Sequence, residues 1–350
     1  MAQVSIKDIA QKVGVSNATV SLVLNGKEKG GRISAEVASR IREVAKELHY
    51  EPNNLARSLR VGKSRTIGLI IADISNNFFA SLAFYIQEFA EKYEYAVIIT
   101  NTNESSGKMG KMINILKSRQ VDGFIIVPTE DGEKHISGLI ASRTPVVLLD
   151  RYFPDLPVSH VIVNNYQASL DATDLLIGLG CKNVALLVYD NQLPHMLERQ
   201  RGYEEALKKA NLFNPRLIRK INYSQITGDI PEAIDALLKE EQKVDGIFFA
   251  TNSISMLGIK RLMERRIAIP DDIKIVCFDK SDAFEFTDIP IPYIQQPIKD
   301  LGRKAVDVLM ELINQDTPTF TKIELFAHLL NVPLPAHAHA SESESEFSGL

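Results

Sequence analysis

The sequence predicts a small all-α segment followed by a larger α/β body of parallel sheets, and three observations carry that prediction. Before Pro52 the apolar residues recur only at helical spacing. From Thr66 onward, short apolar runs alternate with amphipathic stretches, the pattern of parallel strands covered by helices. Three of those runs then recur in the same order later in the chain, so the body reads as two lobes built on one plan.

In the first segment, Ser5 with Asp8 three residues on forms a capping-box arrangement that opens a helix. Ile6, Ile9, Ala10 and Val13 form its apolar stripe and Gly14 ends it. A second short helix begins near Ser16, turns Val20, Val23 and Leu24 inward, and stops at Asn25-Gly26. A third is S-A-E-V-A-S-R-I-R-E-V-A-K-E-L from Ser34 to Leu48, with Val37, Ile41, Val44, Ala45 and Leu48 on one face, and Pro52 is expected to terminate the run. N-N-L-A-R-S-L follows, a candidate short helix capped by Asn53, and then the basic linker V-G-K-S-R.

In the body, T-I-G-L-I-I-A-D (Thr66–Asp73) matches N-V-A-L-L-V-Y-D (Asn183–Asp190). V-D-G-F-I-I-V-P (Val121–Pro128) matches V-D-G-I-F-F-A-T (Val244–Thr251), and P-V-V-L-L-D ending at Asp150 matches I-K-I-V-C-F-D ending at Asp279. Ligands of open parallel sheets bind beyond the carboxyl ends of the strands, so the expected site is the cleft between the lobes. The expected divisions are residues 1–50, a linker over 51–65, and the two-lobed body over 66–334. Lobe 1 takes about 66–163 plus a late crossover near 293–320, lobe 2 about 164–290 plus a C-terminal part, with a disordered Ser/Glu tail over 335–350.

Charge separates the same parts. Residues 1–65 hold 12 Lys and Arg against 6 Asp and Glu, whereas the rest holds 28 against 38, so a polyanionic partner is expected for the head alone. No apolar run reaches the roughly 20 residues of a membrane span or forms a signal peptide, which predicts a cytoplasmic protein with no membrane partner. Cys181 and Cys277 stand in apolar contexts and are expected to be buried thiols. His337 and His339 have no further metal ligands nearby, and no metal or cofactor is expected. Gly62-Lys63-Ser64 lacks the glycine spacing of a P-loop, Gly178-Leu179-Gly180 lacks the third glycine of a dinucleotide fingerprint, and neither a G-x-S-x-G elbow nor H-E-x-x-H occurs. An enzyme is not expected.

I-K-D-I-A-Q-K-V-G-V-S-N-A-T-V-S-L-V-L-N-G has helix-turn-helix geometry: a first helix, a tight glycine turn, and a second helix whose leading end is small and polar enough to approach base edges. With Y-E-P-N-x-x-A-R-S-L after it, the chain resembles the lactose-repressor (LacI/GalR) family of bacterial regulators from about residue 4 to about residue 326. That resemblance implies a homodimer, sometimes a tetramer, on palindromic operator DNA, each subunit carrying a periplasmic-binding-protein-like sensor behind a DNA headpiece.

It also implies roles for particular residues. Asn17, Ala18 and Leu22 fall on the base-reading positions, with Asn17 suited to an adenine edge and Ala18 to a thymine methyl. Many members have arginine where Leu22 stands, so one usual guanine contact is expected to be absent. Ser16, Thr19 and Ser21 fall at phosphate-contacting places, and Lys27, Lys29 and Arg32 in the lengthened loop after Asn25 add charge. In the hinge, Asn53 caps the short helix, Leu59 takes the place of the leucine wedged into the minor groove, and Arg57, Arg60, Lys63 and Arg65 face phosphates.

For the cleft, Asp150 and Asp279 close equivalent strands, and Arg199 in R-Q-R-G-Y matches an arginine that reaches the ligand. Asn252 follows a second-lobe strand, with Ser253 replacing the usual aspartate; Tyr223, Phe78 and Phe79 offer rings near the mouth; Gln296 sits where the chain re-crosses. The expected effector is a sugar or sugar phosphate. Control by a nucleobase corepressor or a phosphocarrier protein stays open, with a pure sugar-binding receptor as the distant alternative.

Overall fold

The computed structural model describes residues 4–26, 33–50, 62–286, 290–315 and 319–332. The chain falls into two compact units, Met1–Ser64 and Arg65–Leu350.

The first unit contains α1 (Ile6–Val13), α2 (Asn17–Leu24) and α3 (Ala35–Glu47). Each begins where a side chain can meet an orphan amide. The Asp8 carboxylate accepts from the Ser5 amide at 2.8 Å and the Ser5 hydroxyl at 2.7 Å. Ser16 and Ser34 accept from the amides of Thr19 and Val37 at 3.1 and 3.2 Å. Gly14 adopts φ 81°, the left-handed stop that the sequence requires after α1. Ile9, Ala10, Val20, Val23, Ala38, Ile41, Val44 and Ala45 close the core. α3 ends within one residue of the expected Leu48, but Pro52 is not what ends it. His49 turns left-handed (φ 49°) and the Tyr50 amide bonds back to the Ala45 carbonyl at 2.8 Å, so a local reversal stops the helix at Glu47. The lengthened loop over 27–32, the hinge over 51–61 and the tail lie outside the described residues.

In the second unit, lobe 1 runs β1 (Thr66–Ile71), α4 (Asn77–Lys92), β2 (Ala96–Asn101), α5 (Ser106–Ser118), β3 (Gly123–Ile126), α6 (Glu133–Ala141), β4 (Val146–Leu149) and β5 (Ser159–Val163). The chain then enters lobe 2 through α7 (Asn165–Gly178), β6 (Val184–Tyr189), α8 (Pro194–Lys209), β7 (Ile218–Ile221), α9 (Ile226–Leu237), β8 (Gly246–Phe249), α10 (Asn252–Glu264), β9 (Lys274–Phe278) and β10 (Tyr293–Gln295). It returns to lobe 1 for α11 (Ile298–Asn314) and β11 (Lys322–Leu325), and ends in lobe 2 with β12 (His328–Leu330). The strand orders are β11-β5-β4-β3-β1-β2 and β12-β10-β9-β8-β6-β7, parallel throughout except for β10 with β12. The late return was expected to begin near 293. Instead Tyr293–Gln295 pairs with β9 in the second sheet, and the chain re-crosses at Gln296-Pro297.

Successive strand residues serve opposite faces. Ile67, Leu69 and Ile71 of β1 pack with α4 and α11, while Ile70 packs with α5 and α6. In β8, Ile247 and Phe249 face α9 and α10, and Phe248 faces α7 and α8. The repeated V-D-G motif has a common duty at the opposite end of the sheets. Asp122 accepts from the Arg65 amide at 3.0 Å, and Asp245 accepts from the Lys182 amide at 2.9 Å and the Asn183 amide at 2.9 Å. Each carboxylate therefore fastens the residue that leads into the first strand of its lobe, which lies next to the sheet edge. Both cysteines are buried free thiols, and burial pushes Cys181 up to about 11. Among the described residues, no helix is long and apolar enough to cross a membrane.

α7 and α8 approach closely because Gly202 has no side chain. A Cβ there would lie 2.3 Å from the Tyr166 carbonyl oxygen and 2.9 Å from the Leu170 amide nitrogen. Gly202→Ala is expected to cost about 1–3 kcal/mol, read as a lowered melting temperature. Gly228→Ala, at an open helical position, is expected to be neutral or to stabilise by up to about 1 kcal/mol.

Candidate functional site

On the headpiece, Ser16, Asn17 and Ala18 are exposed at the leading end of α2, and Leu22 one turn further on is 44% exposed. Thr19 and Ser21 are half-buried. The hydroxyls of Ser16 and Thr19 lie 2.9 Å apart and bond to each other, and the Asn25 amide donates to the Ser21 carbonyl at 2.6 Å. The hydroxyls expected at phosphates thus also hold the helix terminus together. Lys63 is half-buried, while Asn53, Arg57, Leu59 and Arg60 lie outside the described residues.

In the body, the carboxyl ends of the two sheets meet. Three hydrogen bonds span the cleft: the Tyr223 hydroxyl donates to Asp73 at 2.9 Å, the Gln192 amide to Glu130 at 2.6 Å, and the Asn76 side-chain amide to Ser253 at 3.4 Å. Beneath them lies a cluster of buried charges. Arg151 donates both terminal nitrogens to the two Glu104 oxygens, at 2.7 Å each, with Asp150 3.5 Å from its Nε. Arg199, 3% exposed, donates to Asn165 at 2.8 Å and to the Ala250 carbonyl at 2.7 Å. Its guanidinium lies 3.4 Å from the centre of the Phe278 ring. Gln296 donates to Asp279 at 2.6 Å.

Asp150 and Asp279 both adopt left-handed backbone, at φ 66° and 74°, which swings each carboxyl group out of its strand at equivalent points in the two lobes. Burial raises both carboxyls, against the pull of the neighbouring guanidinium groups. Burial also lowers Arg199 to about 10, so it stays cationic at neutral pH, while Glu104 holds Arg151 above the ordinary arginine range. Among the described residues, Asp150 Oδ1, Gln296 Oε1, Arg151 Nε and His195 Nδ1 are buried without a hydrogen-bond partner.

Cavities adjoin this cluster among the described residues. One of about 580 Å³ is lined by Phe78, Asn252, Asp279, Lys280 and Gln296. A second, of about 290 Å³, is lined by Glu104, Glu130, Tyr189, Asp190 and Tyr223. A third, of about 230 Å³, includes Asp150, Tyr152, Asn165, His195 and Glu198. Asp150, Arg199, Asp279, Asn252, Gln296 and Tyr223 are therefore assembled in one region. The two phenylalanines are placed differently from a solvent-facing mouth: both are buried in the lobe 1 core, with Phe78 also at a cavity wall and Phe79 5.7 Å from the Arg151 guanidinium. The Tyr223 ring meets Tyr189 edge-on at 5.7 Å, so part of its face is already used. Sequence reasoning missed Glu104, Arg151, Asn165, Tyr189 and His195. Arg151 had one signal, a charge directly after a strand-ending aspartate, and Tyr189 another, as the last strand residue of a repeated motif; Glu104, Asn165 and His195 sit in a loop or at helix starts with no pattern to mark them.

Residues 5–53 match the model of bacterial regulatory proteins, lacI family, and residues 64–334 that of periplasmic binding proteins and the sugar binding domain of the same family. The chain belongs to the LacI family. Like its relatives it is a transcription regulator, with a DNA-binding headpiece and a ligand-controlled body. Catabolite control protein A of Priestia megaterium is 31% identical over 324 residues, 92% of this chain and 96% of that protein. A ribose operon repressor of Halalkalibacterium halodurans is 31% identical over 312 residues, covering 89% and 91%, and a transcriptional repressor PurR of Aliivibrio fischeri is 30% identical over 315, covering 88% and 91%. The fold matches a Lac repressor structure with ONPG in the repressed state at a TM-score of 0.81 and 20% identity, over 95% of this chain and all of that one. The two parallel-sheet lobes behind a helical headpiece are those expected of a LacI-family regulator.

The buried His195 supplies a pH test. It is 5% exposed, and burial, with Arg151 and Arg199 adding to the effect, holds its imidazole well below its ordinary range. The folded protein thus binds fewer protons here than the unfolded chain, so its stabilising share is full above about pH 6.5 and is lost as pH falls below that value. The raised carboxyls of Asp150 and Asp279 act in the opposite sense, so the comparison must be made against a variant. The stability deficit of His195→Gln relative to the parent should shrink between pH 7.5 and pH 5.5, as measured by denaturant melts.

Proposed function

We propose that the protein binds a palindromic operator as a homodimer and that a small uncharged sugar in the interlobe cleft sets its affinity for that DNA. The observation that carries this reading is the set of unpaired buried acceptors, Asp150 Oδ1 and Gln296 Oε1, beside committed guanidinium groups. Such acceptors call for a ligand that donates, as sugar hydroxyls do. The cavity at Tyr223 is lined by Glu104, Glu130 and Asp190 and by no basic side chain, which disfavours a phosphoryl group there, whereas Lys280 and Lys299 line the cavity at Gln296 and Arg201 the one at Asp150. Names among the relatives include both ribose and purine repressors, so they do not choose between these chemistries. The reading contains no catalytic step. Exposed Phe84 on α4 and Met263 on α10 offer apolar surface for a second copy.

The coupling follows from chain topology. Three crossings join the lobes, at 163–165, 295–298 and 325–328. A ligand held by groups from both lobes favours the closed arrangement and thereby shifts how far apart two hinge segments lie in a dimer. It does so only to the extent that it binds one arrangement more tightly than the other. Leu59 is assigned to the minor groove and Arg57 and Arg60 to phosphates.

Thermal shift against uncharged sugars, sugar phosphates and purine bases tests the ligand class. A rise with an uncharged sugar is expected, with affinity reduced about 10- to 100-fold in Asp279→Asn, the loss of a charged hydrogen bond. A response to purine bases alone would replace the sugar with a nucleobase corepressor. Operator affinity should fall steeply with salt and change on adding the sugar that binds. Leu59→Ala should weaken operator binding, measured by gel shift, while the ligand-induced thermal shift stays as in the parent.

A further inference from the structure

α2, which the helix-turn-helix reading places in the major groove, is N-A-T-V-S-L-V-L and carries no charged side chain. Its Val20 and Val23 are buried in the headpiece core, which fixes which side faces outward. On that outward side stand Asn17, Ala18 and Leu22. Ser16 and Thr19 are engaged with each other at the helix start, and the Asn25 amide is turned back to the Ser21 carbonyl. Ala18 and Leu22 are four residues apart, so their side chains lie one above the other as an apolar ridge. A leucine 44% exposed on a helix of eight residues has its methyl groups available to a partner.

We infer that Leu22 and Ala18 read thymine 5-methyl groups, and that α2 selects A·T pairs in the part of each half-site it covers. This rests on the operator-binding reading above. The chemistry of the groove supports it. Guanine is recognised through its O6 and N7 acceptors, which need the paired donors of arginine or lysine, and α2 has neither. Thymine alone among the bases presents a methyl group there, which an apolar side chain can cover. Asn17 adds an amide able to pair with the N6 and N7 edge of adenine. The surrounding charge excess of residues 1–65 supplies affinity without specificity, which leaves discrimination to these three side chains.

The full-length protein would be used to select binding sites from randomised duplex DNA, with the parent, Leu22→Ala and Leu22→Arg compared. The enriched duplex would then be remade with deoxyuridine replacing single thymines, which removes only the methyl group. The parent is expected to enrich A·T pairs and to lose about fourfold in affinity for a thymine facing Leu22, the equivalent of one buried methyl group. Leu22→Ala should bind more weakly and lose the response to uridine at that one position in each half-site. Leu22→Arg should enrich a G·C pair in its place. Parent affinity indifferent to uridine at every position, or an unchanged uridine response in Leu22→Ala, would overturn the assignment and place Leu22 against protein instead. Failure of the parent to enrich any sequence would overturn operator binding itself, and this assignment with it.

Discussion

The body is organised around a cost: several charges are taken out of water where the two sheets end. Moving an isolated carboxylate or guanidinium into a protein interior is expensive unless each ion finds partners there. Here Arg151 has both oxygens of Glu104, and Arg199 has an amide, a carbonyl and an aromatic face. Arg151 finds its partner within lobe 1, and Arg199 finds its partners in lobe 2 and at the first crossing, while the bonds from Tyr223 to Asp73 and from Gln192 to Glu130 join the lobes above them. The polar atoms that remain without a partner in this region are Asp150 Oδ1, Gln296 Oε1, Arg151 Nε and His195 Nδ1. The proposed ligand would meet the first two of these.

The duplicated plan explains why the site has paired components. β1 matches β6, β3 matches β8 and β4 matches β9, in the same sheet order. Asp122 and Asp245 fasten one end of each lobe, while Asp150 and Asp279 serve the other with the same left-handed backbone. Equivalence is broken where function needs it. Tyr223 and Asn252 come from lobe 2, whereas Glu104 and Arg151 come from lobe 1, and the crossings at Asn165 and Gln296 add one amide group each.

The headpiece obeys a different economy. Its core is small, so local devices carry much of its definition: serine caps on two helices, an aspartate at the third and one glycine stop. With the buried valines of α2 committed inward, the outward face is left to few side chains. A family relationship at about 30% identity fixes the class of regulator. The operator it selects is assigned by our proposal to the side chains at positions 17, 18 and 22.

Sequence alone determined the three headpiece helices and the six body strands of the repeated motifs, because strand and helix periods, caps and repeats are short-range signals. It also placed Asp150, Asn252, Asp279 and Gln296 near strand ends or a crossing, while Arg199, within α8, came from the family resemblance alone. It placed the end of α3 to within one residue but credited Pro52 with stopping it, whereas the stop is a reversal at His49. It assigned 293–295 to the wrong lobe, since three residues in a strand carry no label of the sheet they join. Burial of Phe78 and Phe79, and the embrace of Arg151 by Glu104 from 47 residues away, were decided only in three dimensions. A charge can be read in a sequence; the partner that makes its burial tolerable is chosen by the fold.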